Sequence, residues 1–476
     1  MEAVTSAPSA AQTQTQTVAH PRVLKRSMRV IGTLLLTLSS ATPASSVFVI
    51  VPGVIQQAGT GALLSMVAAA LLSFPIALVY GELASAFPIT GGEYCMLGRT
   101  LGPSWGFAML GLILIGNMLT PAVLALGAGV YIGAVFPGLD PTAVAIVIIV
   151  ASTIFGILHI RTNAWVTGIF LLLEILALLV LAGLGFFHAQ RSVADLTFHP
   201  VTLIGSSLQG TPLALIGLAT SVSVFAYFGF SSAVYFTEEM HEAPRLIGRT
   251  ILWATVVTVI TELIPVTAVL MGAPDLKSLI ASANPFSDFV RQLGGDLLNK
   301  VISLSVAIAI INAVLATLLQ NARFLFSTGR DTAWHASIND ALTRTHLRYH
   351  SPWFATLAAG ASSIVMCFLG IHMLLVLTGT GIVLTYAGVC AATLAGRRNG
   401  TTAHAAFRMK FYPLMPIIGL IALVYILYTN WLDPDLGRPS LIANVVAIVA
   451  SLVYYVFVLR KRGVWIVHDP EDDPGG

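Results

Sequence analysis

The sequence alternates long apolar stretches with short polar connections, and twelve stretches are each long enough to cross a bilayer. They run roughly over 31–55, 61–86, 105–135, 142–160, 164–187, 213–237, 247–272, 300–325, 353–370, 373–395, 411–431 and 439–460. A hydrocarbon core takes about 20 consecutive apolar residues as a helix. Inside it the backbone must satisfy its own N–H and C=O groups, and unbroken apolar stretches do so as helices. Only 9% of the residues are charged and 56% are hydrophobic, against about a quarter charged in soluble domains. The expected fold is an all-α polytopic membrane protein of twelve transmembrane helices.

Most connections are short, the longer ones being 188–212 and 273–299, so a single membrane domain is expected over 28–462. The first residues, rich in Ala, Thr, Gln and Ser, read as a disordered tail over 1–27. Residues 463–476 form a second tail. The first apolar run starts near Ile31 and is too long for the core of a cleaved signal peptide. Lys and Arg crowd alternate connections: Arg22, Lys25, Arg26 and Arg29 before the first run, Arg245 and Arg249 after the sixth, Arg397 and Arg398 after the tenth. The opposite side receives Arg191, Lys277, Arg291, Lys300 and Arg438. The cation bias puts both termini in the cytoplasm of a multi-pass cell-membrane protein.

Several function classes are disfavoured. Three scattered cysteines, Cys95, Cys367 and Cys390, make neither a disulfide framework nor a metal site. No Gly-rich loop ending in Lys-Ser/Thr is present, so ATP-driven transport is not supported. A membrane-embedded enzyme would need His, Asp, Glu or Cys clustered at one face, and none is seen. No cofactor, metal or nucleic acid is implied. The partners expected are a small-molecule substrate and the lipid bilayer.

Two runs carry interruptions. The first contains "SSATPASSVFVIVP" (39–52), where Pro43 lacks an N–H and its ring clashes with the preceding turn. The sixth contains "FAYFGFSSAVYF" (225–236), with Gly229 and paired serines. The two lie five runs apart, an odd offset that inserts two similar halves in opposite orientations. Broken helices at equivalent positions of an inverted repeat point to a transporter's binding site. The second half of the first helix, expected to begin near Ser46, offers N–H groups and a positive dipole end to a carboxylate. Released carbonyls of residues 40–42 and 225–228 suit an ammonium group. The competing reading of either break alone is a proline or serine kink.

Four further stretches resemble the amino acid–polyamine–organocation superfamily of secondary transporters: "YGELASAFPITGGEYCMLGRTLG" (80–102), "FGFSSAVYFTEEMHEAPR" (228–245), "NARFLFSTGRDTAW" (321–334) and "IGN" (115–117). The resemblance implies a LeuT-type fold, with 31–187 and 213–395 as inverted five-helix repeats and 411–460 as two additional helices. It implies transport of amino acids or related amines by alternating access, proton-coupled or by exchange. A channel or a non-transporting sensor on the same fold is the alternative. Carried onto this chain, the resemblance gives a substrate-binding set of Thr42, Ala44, Ser45, Ser46, Val47, Asn117, Phe225, Ala226, Tyr227, Gly229 and Ser231. Ala44, Ser45 and Ser46 would hold the carboxylate, Phe225 would gate, and Asn117 would face the substrate. Two departures stand out: "TPASS" replaces a glycine-rich break, and Ser231 and Ser232 replace the acid of some cation-transporting relatives.

Isolated acids complete the reading. Glu174 lies about eleven residues into the fifth run, roughly 16 Å deep, where ionisable groups mark ion or proton paths. Some proton-dependent relatives place a lysine at this point, so Glu174 is the candidate proton-coupling residue. Glu82 and Glu93 are expected to pair with interface arginines or cap turns. Glu238, Glu239 and Glu242 read as a solvated helix exit able to meet Arg323 or Arg330. Asn312 reads as interhelical glue, and Glu262, expected past the midplane within reach of water, receives no role.

Overall fold

A computed structural model describes residues 28–463 except 137 and 159, together with 465 and 467. The two expected tails fall almost wholly outside these residues. Among the described residues, nine helical segments are long and apolar enough to cross a membrane, and Pro141–Gly156 and Trp353–Met366 are shorter apolar helices. The first segment, Val30–Ala86, has 57 residues. At 1.5 Å per residue it would extend about 85 Å, nearly three bilayer thicknesses, so it has to reverse. It does so at Gly59–Gly61, where Gly59 has φ 59°. Each of the twelve apolar runs overlaps helix, though the fourth and ninth outrun α7 and α15 and the eleventh begins before α17.

In chain order the elements are α1 (Val30–Ala41), α2 (Pro43–Ser45), a π-helical turn (Ser46–Ile50) and α3 (Val51–Ala58). Then come α4 (Ala62–Ala86), α5 (Glu93–Thr100), α6 (Pro103–Val135), α7 (Pro141–Gly156), α8 (Ile160–Phe187) and α9 (Val193–Phe198). An antiparallel hairpin of β1 (Val201–Ile204) and β2 (Ser207–Gly210) precedes α10 (Leu213–Ala226) and a 3₁₀ segment (Phe230–Glu239). The remainder is α11 (Ala243–Gly272), α12 (Leu276–Ala281), α13 (Pro285–Arg330), α14 (Ala336–Leu342), α15 (Trp353–Met366), α16 (Ile371–Asn399), α17 (Leu414–Leu432), α18 (Gly437–Tyr454), a second π-helical turn (Tyr455–Leu459) and α19 (Arg460–Arg462).

The bundle is built around α1 and the 3₁₀ segment, which touch each other and are enclosed by α8, α11 and α13. Its outer surface exposes large apolar side chains such as Leu71, Val147, Leu179 and Phe457. Water would penalise that belt and hydrocarbon would not. The long connection 188–212 carries a helix and the hairpin. A Cβ at Gly59 would strike the Val201 carbonyl, so only glycine lets the hairpin sit this close. Thr60 fixes the contact, its hydroxyl accepting from Val201 N at 2.7 Å.

Candidate functional site

The first break is a single residue. Thr42 ends α1 in the left-handed region (φ 48°, ψ 64°), its N–H bonding to the Leu38 carbonyl. A β-branched residue there is an outlier costing about 1–2 kcal/mol, the kind of strain that gathers at functional sites. Pro43 restarts the helix at the first position, where its missing N–H and fixed φ fit. The second half therefore begins at Pro43, not near Ser46. The Ser46 N–H donates to Thr42 O at 2.9 Å and is not released for a ligand. The π-helical turn that follows widens the helix over Ser46–Ile50, a distortion common at functional positions.

The second break spans Tyr227 to Gly229. α10 ends at Ala226, Phe228 N turns back to Phe225 O at 3.0 Å, and Gly229 takes φ 110°. The 3₁₀ segment then starts, with Ser232 Oγ donating to Gly229 O at 2.6 Å. The two breaks meet. A Cβ on Gly229 would run into the Ala41 backbone, so glycine is required by both φ and proximity. Ser46 Oγ lies 2.9 Å from Ala226 O and 3.2 Å from Ala41 O. One serine stitches the two interrupted helices together.

Thr42, Ala44, Ser45, Ser46, Val47, Phe225, Ala226, Tyr227 and Ser231 are all buried at this junction or beside it. Ser45 Oγ and Tyr227 OH make no hydrogen bond, although an unsatisfied buried polar group costs about 1–3 kcal/mol. Ser231 faces Tyr386 of α16. Asn117 lies midway along α6; its backbone carbonyl accepts from Asn321 Nδ2 of α13 at 2.5 Å, and its own side-chain Nδ2 is buried without a hydrogen bond. The Phe225 and Ala226 carbonyls, expected to be released, accept from Phe228 N and Ser46 Oγ.

Glu174 lies fully buried in α8. Its carboxyl meets the Ala44 backbone amide, and Asn312 Nδ2 of α13 approaches Oε1 at 3.5 Å. The side chain thus lies beside an amide that the sequence assigned to a substrate carboxylate, while its Oε2 makes no hydrogen bond. Glu262 of α11 is equally buried, contrary to the hydrated position expected, and it faces both Ser46 and Glu174. Sequence reasoning missed it, though the available signal was the same as for Glu174: one acid inside "VTVITELIPVTAVL".

Both ends of the junction are closed. Toward the hairpin, Tyr131 OH donates to Phe48 O at 2.5 Å, the Phe48 and Phe286 rings lie 5.6 Å apart, and Gln56 Nε2 reaches Ser282 O at 2.8 Å. Toward the Arg-rich end, Arg330 forks onto Glu238 with two bonds of 2.8 Å, and Arg323 Nε pairs with Glu239 at 2.7 Å. Glu238 and Glu239 are buried, so the expected solvated exit holds only for Glu242, which is exposed. Glu82 takes Arg397 in two bonds of 2.6 and 2.7 Å, as an interface pair. Glu93 instead accepts from Tyr80 at 2.9 Å and from Tyr235. Burial pushes its carboxyl above the usual range, and the two tyrosine bonds oppose that.

A polytopic helical bundle with two interrupted helices crossing at a buried, incompletely satisfied polar junction defines the class: a membrane transport protein. Residues 29–458 match the amino acid permease family, and the chain belongs to it. It is 25% identical over 417 residues to an uncharacterized transporter of Mycobacterium tuberculosis (86% of this chain, 87% of the relative). A branched-chain amino acid permease of Bacillus subtilis is 22% identical over 460 residues (92% and 94%). A methylthioribose transporter of the same organism is 23% identical over 436 residues (86% and 88%). The protein is a permease and not an enzyme.

Proposed function

We propose that the chain is a secondary transporter of amino acids or related small amines, working by alternating access around the junction of the two helix breaks. Its termini are cytoplasmic, and its twelve helices form two inverted five-helix repeats, 31–187 and 213–395, followed by two more. The observation that carries the reading is the contact of the breaks, five runs apart, through Ser46 and Gly229. Apolar walls from Val47 and Phe225, together with the name of the branched-chain relative, favour an apolar amino acid. No acid follows Gly229 before Glu238, which argues against a guanidinium substrate.

Glu174 couples protons to the substrate by competition. While ionised it claims the Ala44 amide; once protonated it gives that donor up, and a substrate carboxylate takes the place with Ser45 Oγ beside it. One negative charge, rather than two, then occupies the apolar interior. The test uses proteoliposomes and a panel of radiolabelled amino acids. Glu174→Gln is expected to abolish accumulation driven by an inward proton gradient while substrate exchange continues. Parent-like concentration by Glu174→Gln would remove Glu174 from coupling, and no saturable counterflow of any panel member by the parent would overturn the amino acid reading.

A further inference from the structure

We propose that Glu262 and Ser46 form a proton-operated latch on the contact between the two helix breaks. The inference rests on the reading of that junction as the transport site, and adds a residue to which neither the sequence nor the family comparison gives a role.

Ser46 has one hydroxyl hydrogen, and so donates to one acceptor at a time. It has two acceptors within hydrogen-bond distance, Ala226 O at 2.9 Å across the junction and Ala41 O at 3.2 Å, and a third, the Glu262 carboxyl, lies beside it on α11, which packs against the Ser46–Ile50 turn. Both Glu262 oxygens are buried without a hydrogen bond. The titratable groups that interact electrostatically with Glu262 are Glu174 from α8 and Tyr227 from the second break. The ion pairs formed among the described residues involve neither acid. Tyr227 OH is also buried and without a hydrogen bond. Glu262 sits ten residues from the Gly272 end of α11, about 15 Å along the helix.

A neutral carboxyl is a modest acceptor, so Ser46 stays on Ala226 and the breaks stay stitched. An ionised carboxylate accepts a bond roughly twice as strong as a neutral group does. Loss of the Glu262 proton therefore draws the Ser46 hydroxyl away from Ala226 and frees the second break to move. Water that reaches Glu262 during a transient opening takes the proton, the ionised carboxylate then holds Ser46 off Ala226, and the proton's return relocks the pair. Two facing carboxyls without a cation resist a double charge, so the latch and the Glu174 site answer to each other.

Hydrogen–deuterium exchange of the peptide covering residues 225–232, in purified full-length protein in liposomes without added substrate, reads the latch directly. The parent should exchange about tenfold faster at mildly alkaline than at mildly acidic pH, after correction for intrinsic rates, as expected for exchanging a charged for a neutral acceptor. Glu262→Gln should stay slow at both pH values, and Ser46→Ala should be fast at both. Ser46→Thr, which keeps the hydroxyl, should restore the pH dependence and show that loss in the alanine variant is not misfolding. Glu174→Gln should keep a pH-dependent change. A Glu262→Gln variant with the parent's pH dependence overturns the latch. If Glu174→Gln alone loses it, the switch belongs to Glu174, and the coupling reading stands without the latch.

Discussion

The buried ion pairs at the Arg-rich end are the most direct handle on the proposed alternating access. Arg330 makes two 2.8 Å bonds to Glu238, and the Glu238 carboxylate also accepts from Thr90 N at 2.9 Å. Both side chains are 4% exposed. At the surface such a pair would contribute about 0–1 kcal/mol. Buried, the loss of one partner leaves an uncompensated charge and costs about 3–5 kcal/mol. Asp331, 4.0 Å from Arg330 Nε, takes part of that charge, so the lower end of the range applies. Glu238→Gln keeps the volume and removes the charge. Opening this end rehydrates Arg330, so the penalty falls on the closed form alone. A penalty of about 3 kcal/mol shifts the closed-to-open ratio by roughly two powers of ten.

Native Cys95 is the reporter. It is fully buried in α5 beside Tyr94, whose hydroxyl bonds Asp331 at 2.7 Å. With Cys367 and Cys390 replaced by alanine, a membrane-impermeant maleimide should label Cys95 from the cytoplasmic side far faster in Glu238→Gln than in the parent. The rate ratio should approach one hundred. Equal rates in two equally folded preparations would refute the assignment of these pairs as the inner closure.

Two other outcomes follow from the geometry. Gly229→Ala combines an unfavourable backbone region, about 1–2 kcal/mol, with overpacking against Ala41, about 1–3 kcal/mol; thermal unfolding in detergent should show a loss of about 2–5 kcal/mol, and a change under about 0.5 kcal/mol would mean the breaks do not touch. For topology, a reporter fused after Ser192 should be exported and one fused at Gly475 retained, whereas export at Gly475 would reverse the inside-positive orientation.

Helix placement was legible because it depends on local composition alone. A run such as "VAIVIIVASTIFGIL" has one way to satisfy its backbone in hydrocarbon, and α7 follows it. The breaks were legible for the same local reason, since Pro43 and Gly229 announce them. What the sequence could not place was register: whether the helix restarts at Pro43 or at Ser46 turns on Thr42 accepting a left-handed conformation, which its own side chain disfavours and its neighbours impose. Burial was also out of reach. "TEEMHE" reads as a solvated exit, yet Arg323 and Arg330, some ninety positions away, draw Glu238 and Glu239 inward. Glu262 was given no role because its surroundings, Ser46 and Glu174, come from two other segments of the chain.

The two closures differ in kind, and the difference bears on how the protein cycles. The Arg-rich end is held by charges, each of which water can solvate as soon as the end opens, so the cost of breaking it is partly returned. The hairpin end is held by ring packing of Phe48 on Phe286 and by single bonds to the Phe48 and Ser282 carbonyls. Opening it exposes apolar rings, whose cost water does not return. Phe48 lies two residues beyond Ser46, in the same π-helical turn. Motion of Ser46 relative to Ala226 is therefore transmitted directly to the outer closure through a few covalent bonds. The inner closure answers only through the ten-residue 3₁₀ segment that runs from the second break to Glu239. A stretch of weakly bonded backbone between the junction and the Arg-rich closure would let the two ends open at different times, as the proposed alternating access demands.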